Sequence, residues 1–193
     1  MKHLFKTARL TLWVCVMVQF SILLLYAQDE DQWQQLETKH TILHYKSFAD
    51  LKKFSAKINF SPGGWGRKNL IFKANEDLTK RITTEVDALL ERVQEILNMP
   101  KKMQKIIVRI CPDNEQLHAF FSYFSDRTYN GETPPRAWYC YSRNTIYINA
   151  DDIHEGILAH EIAHAVVDHH LMVRPSKDVA EIIARYVEAR LFF

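Results

Sequence analysis

The sequence predicts a small α+β domain behind an N-terminal targeting segment. Runs of β-forming residues alternate with amphipathic helical patterns, a β-hairpin pattern follows, and two helical patterns come last. The 193 residues are 47% hydrophobic and 25% charged, which is ordinary for a globular protein with its own core. We therefore expect a single domain over residues 28–193.

The first 27 residues have the layout of a secretory signal peptide. Three cations and no acid precede or lie within an apolar run over 10–27, and acidic residues follow it. The cations are Lys2, Lys6 and Arg9. Cleavage after Ala27 gives a secreted or periplasmic protein. The alternative is an uncleaved membrane anchor, although two polar residues weaken the apolar run.

The charge balance gives no sign of a polyanionic partner. Removal of the three N-terminal cations takes the formal net charge from +2 to −1, so nucleic-acid binding is not expected. The mature chain keeps Cys111 and Cys140, which form either a disulfide or two buried free thiols. Neither belongs to a CxxC pair, so a cysteine metal site is not expected.

The N-terminal half of the domain is predicted to begin with a strand and a short helix. Residues 29–37 are polar and are predicted to be a flexible lead-in, whereas residues 38–45 are rich in β-forming side chains and lack Gly and Pro. Ser47 is a candidate N-cap for a helix over 48–58. Residues 61–66 hold three of the five glycines and indicate a loop.

A long amphipathic helix, a strand and a third helix follow. Over residues 75–97 apolar side chains recur at steps of three and four. They are Ile82, Val86, Leu89, Leu90, Val93 and Leu97. Residues 105–111 are β-branched and predict a strand, and a turn at Pro112 leads into a helix over 115–124.

The C-terminal part is predicted to contain a loop, a hairpin and two helices. Their predicted ranges are 128–135 for the loop, 137–141 and 145–149 for the hairpin strands, and 153–169 and 178–191 for the helices. Asp151 and Asp152 are candidate caps for the first helix. Pro175 separates the helices, and Ser176 is a candidate cap for the second.

The first of these helices carries an H-E-x-x-H motif, from His160 through Glu161 to His164. Positions four apart lie on one helix face, so the two imidazoles can bind one zinc ion. Glu161 lies beside them and can accept a proton from a zinc-bound water. The alternative interpretation is a coincidental pair of histidines on a helix. The zinc motif is favoured over it because the motif lies on an apolar helix in a domain expected to be exported.

Two residues are candidates for the third ligand of a catalytic zinc site. Glu181 follows His164 by enough residues for the helix to end and a second helix to return across the site. His170 matches the spacing of a three-histidine metzincin motif, but that motif needs Gly where Val167 stands, because the helix turns there with positive φ. The backbone argument favours Glu181.

These motifs resemble those of the gluzincin metallopeptidases, especially small peptidase MA-like domains. The resemblance lies in residues 158–167 and 180–188, where Glu181, Ala184 and Tyr186 match an E-G-x-A-x-Y pattern and Ile182 replaces its Gly. It covers about the last 60 residues and includes the preceding hairpin. It implies a zincin-like fold: a small mixed sheet with an edge β-hairpin, the HExxH helix and a glutamate-bearing C-terminal helix.

The resemblance also implies roles. His160, His164 and Glu181 would hold one Zn²⁺ ion, and Glu161 would act as the general base in hydrolysis of a peptide or protein substrate. The edge strand near Tyr139 would bind the substrate in extended form.

Other residues are weaker candidates for roles in the site. Tyr139, Tyr141, Tyr186 or His170 would stabilise the oxyanion, and Glu188 would orient a ligand histidine. A non-catalytic zincin-like domain that binds zinc or a partner is the alternative function. The sequence does not indicate the oligomeric state.

Overall fold

The computed structural model describes residues 33–58, 78–100, 102–124 and 135–191. These residues form a five-stranded mixed sheet and five α-helices, so the α+β prediction is confirmed. From Gln34 onward they belong to one compact unit. The predicted signal peptide, the loop at 61–66 and most of the loop at 128–135 lie outside the described residues. Within the described part of the chain, no helix combines the length and hydrophobicity needed to cross a membrane.

The sheet has the strand order β1-β2-β3-β5-β4. The strands are β1 (Gln34–Glu37), β2 (Thr41–Tyr45), β3 (Ile106–Cys111), β4 (Ala137–Cys140) and β5 (Thr145–Asn149). The central pairs β2–β3 and β3–β5 are parallel, whereas β1–β2 and β4–β5 are antiparallel. The predicted hairpin is therefore present, and its first strand, β4, lies at the sheet edge.

The prediction of a flexible lead-in over 29–37 is wrong for Gln34–Glu37, which forms the edge strand β1. Gln34 pairs with Tyr45, and Glu37 pairs with Ile42. Only Leu36 packs against the core, which explains the polar sequence of this strand. The predicted strand at 38–45 begins later, at Thr41, because the Thr38 hydroxyl donates to Asp87 at 2.6 Å in the preceding turn.

The five helices are α1 (Phe48–Lys57), α2 (Leu78–Ile96), α3 (Asn114–Phe124), α4 (Glu155–His170) and α5 (Lys177–Arg190). Ser47 caps α1 as predicted, in a capping box with Asp50. The predicted cap of α4 by Asp151 or Asp152 is wrong. His154 holds that position, and its Nδ1 accepts from the backbone N–H of Gly156 at 3.2 Å. Ser176 stands at the N-cap of α5 without a side-chain capping bond.

Nine of the sixteen residues of α4 are buried in the core. The predicted apolar face of α2 is also buried, with Ile82, Val86, Leu89, Leu90 and Val93 at 1% exposure or less. Helix α4 lies against α2, α5 and β4 and buries apolar residues around most of its circumference. Such close packing holds α4 rigidly.

Both described cysteines are buried free thiols. Cys111 on β3 pairs with Asn149, and Cys140 on β4 pairs with Thr145. They lie on opposite sides of β5 and four residues apart along it, which is about 13 Å. A disulfide needs Cα atoms within roughly 7 Å, so the fold excludes one between them.

Candidate metal and catalytic site

Helix α4 places the two histidines of the HExxH motif side by side. The ring centroids of His160 and His164 are 5.0 Å apart, as expected for residues separated by four positions. Each side chain keeps 17% of its surface exposed. Burial lowers the pKa of His164, and the charge of His160 lowers it further. Both effects favour the neutral imidazole that a metal ligand requires.

Helix α5 returns across this face and brings Glu181 to both imidazoles. Its Oε2 lies 3.4 Å from His160 Nε2, and its Oε1 lies 3.6 Å from His164 Nε2. One donor atom from each of the three residues falls within 4.8 Å of the others. Metal–ligand bonds of about 2.0–2.2 Å place the ligands of a tetrahedral zinc ion roughly 3.3–3.6 Å apart. The two short distances involve different oxygens of Glu181, and the three residues together form a group that could hold a metal ion.

Glu161 lies next to the two motif histidines in the sequence but is buried. It is 8% exposed. Burial raises the pKa of Glu161 to about 8, with a smaller contribution from the carboxylates of Glu181 and Glu188. The residue is not part of the three-residue donor group.

Glu188 lies on the other side of His160, seven residues after Glu181 on the same face of α5. Its Oε2 is 3.5 Å from His160 Nδ1, whereas Glu181 faces Nε2. A carboxylate on Nδ1 fixes the tautomer that leaves Nε2 free to bind a metal. A Cβ at Gly156 would crowd the ring of the N-cap residue His154, at 3.1 Å from its Cε1.

Two of the three candidate tyrosines, Tyr139 and Tyr186, are placed differently. The hydroxyl of Tyr139 donates to Asp168 Oδ2 at 3.1 Å, and burial followed by the charge of Asp168 raises the Tyr139 pKa. Tyr186 is 49% exposed and lies under Arg190. It is roughly 140° around α5 from Glu181, so it does not share the ligand face.

His170, the other candidate third ligand, is not a member of the donor group. Helix α4 continues through Val167 to His170 without a turn, which places His170 roughly 120° around the helix from His164. Val167 is 3% exposed within this helix. His169, which precedes His170, donates from Nδ1 to the Ala165 carbonyl at 2.8 Å. The geometry therefore groups Glu181, and not His170, with the two motif histidines.

Sequence reasoning missed Asp168. This residue follows His164 by four positions, so the motif face continues through it, and that spacing was the available signal. Its two hydrogen-bond donors, on β4 and in the connector between α4 and α5, could not be recognised from spacing.

Comparison of the chain with protein-family models, curated proteins and solved structures gives no match.

Proposed function

We propose that this protein is a zinc-dependent metallopeptidase of the gluzincin type. One observation carries the proposal: His160, His164 and Glu181 converge within 4.8 Å, with the buried carboxylate of Glu161 beside them. Two imidazoles and one carboxylate form a common ligand set of catalytic zinc sites, which keep a fourth position open.

Helix packing holds each proposed ligand in place. His160 and His164 project from α4, which is buried in the core, and Glu181 projects from α5, which packs on α4. Glu188 holds Nδ1 of His160 and so orients its Nε2. A bound zinc ion supplies Lewis-acid polarisation and lowers the pKa of water at the site.

Glu161 is assigned the role of general base. Its carboxylate accepts a proton from the attacking water as the new C–O bond forms at the scissile carbonyl carbon. When the C–N bond breaks, Glu161 returns that proton to the leaving amine nitrogen. Glu161 is buried, and the helix that carries it packs against the edge strand β4.

The edge position of β4 supports binding of an extended peptide. In the sheet order, β4 has β5 on one side and no described strand on the other. Edge strands offer backbone donors and acceptors that an extended peptide can pair with. Because β4 packs against α4, the helix that carries Glu161, a peptide aligned along β4 would pass close to the proposed base.

The first test is metal-dependent hydrolysis. Purified protein is expected to contain one zinc ion per chain and to cleave unfolded proteins or a peptide library. Removal of zinc by a chelator should abolish cleavage, and added zinc should restore it. Protein that retains stoichiometric zinc but cleaves no peptide would contradict the peptidase proposal.

A non-catalytic zincin-like domain is the second candidate function. Helix α5 and the connector before it carry exposed apolar side chains on a face away from the ligands. They are Met172, Val173, Val179, Ile182 and Tyr186. Such residues are typical of a surface that binds a partner. Zinc retention without hydrolysis, together with partner binding that Ile182→Asp abolishes, would favour this second function.

The proposed peptidase is exported. The three cations before the apolar run over 10–27 support a signal peptide. N-terminal sequencing of protein from an expressing cell is expected to begin at Gln28. A sequence beginning at Met1 in the membrane fraction would instead indicate a membrane-anchored protease.

A further inference from the structure

Helix α5 presents an apolar stripe to solvent. Val179, Ile182 and Tyr186 are 46%, 66% and 49% exposed, and Ala189 is exposed as well. The four residues recur at steps of three, four and three, so they share one face of the helix. Such spacing is typical of the seam along which two helices pack. We propose that this stripe binds the same stripe of a second copy of the chain, with the two α5 helices antiparallel.

Two charges beside the stripe are arranged for self-pairing. Asp178 and Arg185 are both exposed and lie seven residues apart, so they follow the same edge of the stripe. A two-fold axis beside Ile182 brings these same edges of the two helices together. Asp178 precedes Ile182 by four residues and Arg185 follows it by three. Each Asp178 therefore lies beside Arg185 of the second copy, and the contact occurs twice.

Both charges are available for this contact, because within the described part of the chain neither side chain belongs to an ion pair. They also disfavour a parallel pair, in which one edge of the stripe meets the opposite edge of the second copy. Arg190 is exposed on that opposite edge, with its guanidinium 5.6 Å from the ring centroid of Tyr186. Parallel helices would place Arg185 beside Arg190 of the second copy, and like charges at such positions are destabilising.

The stripe and the proposed metal ligand lie on different faces of α5. Ile182 is roughly 100° around the helix from Glu181, whose carboxylate faces the two imidazoles. The dimer therefore does not depend on the proposed peptidase function. Helix α5 has 14 residues and is roughly 21 Å long, which is short for an interface of the standard size of about 800 Å² per partner. A weak dimer is expected, with Kd of about 1–100 µM.

Sedimentation equilibrium of the purified protein tests the proposal. The mass should rise from that of one chain well below this Kd range to that of two chains well above it. Ile182→Asp should raise Kd at least about 100-fold, because the two-fold axis places two carboxylates near each other in the seam. The variant should fold, since Ile182 is 66% exposed. A parent protein that stays a single chain at every concentration would overturn the proposal and leave the stripe to a different partner.

Charge reversal tests the antiparallel orientation. Asp178→Arg and Arg185→Asp should each raise Kd by about tenfold, because each brings like charges together twice. The double variant exchanges the two charges, and its Kd should return to within about threefold of the parent value. Tighter association of Arg185→Asp would instead indicate a parallel pair. A double variant as weak as the single variants would refute the contact between Asp178 and Arg185.

Phe48→Asp is the matched control. Phe48 lies on α1 and is 54% exposed, so this change also replaces an exposed apolar side chain with Asp. Its Kd should equal that of the parent, and circular dichroism should show that every variant is folded. A loss of the dimer as large as that in Ile182→Asp would place the interface elsewhere and refute the stripe. Sedimentation needs no hydrolysis, so failure of the peptidase proposal leaves this result intact.

Discussion

Glu161→Gln is expected to lower kcat by about 10²–10⁴-fold, the usual contribution of a general base. Gln has nearly the same shape as Glu, but its neutral amide cannot take a proton from water. Zinc should stay bound, because Glu161 is not in the group formed by His160, His164 and Glu181. Zinc content and steady-state kinetics on one peptide substrate check both expectations.

The matched control for this substitution is Glu155→Gln, on the same helix but in its first turn. It removes one carboxylate that does not belong to the donor group, and its kcat should stay close to that of the parent. Its stability should fall by no more than about 1 kcal/mol, from the lost interaction with the helix dipole. If Glu161→Gln kept the parent kcat, or lost zinc, the assignment of Glu161 as base would be wrong.

The parts of this site that sequence could predict are those that follow helical periodicity. His160 and His164 share a face because four residues make about one turn, and the structure places their rings 5.0 Å apart. The apolar positions of α2 follow the same rule and are buried as predicted. Glu181 was predictable because Pro175 separates the two predicted helices, and in the structure these helices lie against each other.

The parts that sequence could not predict depend on contacts between distant residues. Gln34–Glu37 is polar, and only its pairing with β2 makes it a strand. His154 replaces the expected aspartate cap because its ring nitrogen faces the first amides of α4. Tyr139 was a candidate oxyanion donor from its type and position. Its hydroxyl instead lies on Asp168, 29 residues away in sequence, a contact that no local pattern encodes.

Several carboxylates lie near the two motif histidines, some placed by the sequence motif and others by tertiary contacts. Four of them surround the two imidazoles or their helix, and their settings differ. Glu181 faces both Nε2 atoms and Glu188 faces Nδ1 of His160, whereas Glu161 is buried and outside the donor group. Asp168 meets a hydroxyl and a guanidinium. These different settings are the reason for proposing that Glu181 is a ligand, Glu188 an orienting group and Glu161 the base.

A graded loss of zinc affinity is therefore expected across three substitutions near the histidines. Glu188→Gln should weaken zinc binding by about 10–100-fold, the usual cost of losing a group that orients a ligand histidine. Glu181→Gln should weaken it by more, since it removes a ligand and its negative charge. His170→Ala should leave the affinity unchanged, because His170 lies outside the donor group.

Competition with a chromogenic chelator measures all three affinities under one condition, and circular dichroism checks that each variant is folded. The Glu181 side chain is 37% exposed and the Glu188 side chain 43% exposed, so neither substitution leaves a buried cavity, and both variants should fold. The order of the affinities is the decisive result, because it depends on which atom each carboxylate faces. If the Glu188→Gln variant bound zinc more weakly than the Glu181→Gln variant, the proposed roles of the two glutamates would have to be exchanged. A loss in His170→Ala as large as that in Glu181→Gln would indicate a three-histidine site and would overturn the gluzincin assignment.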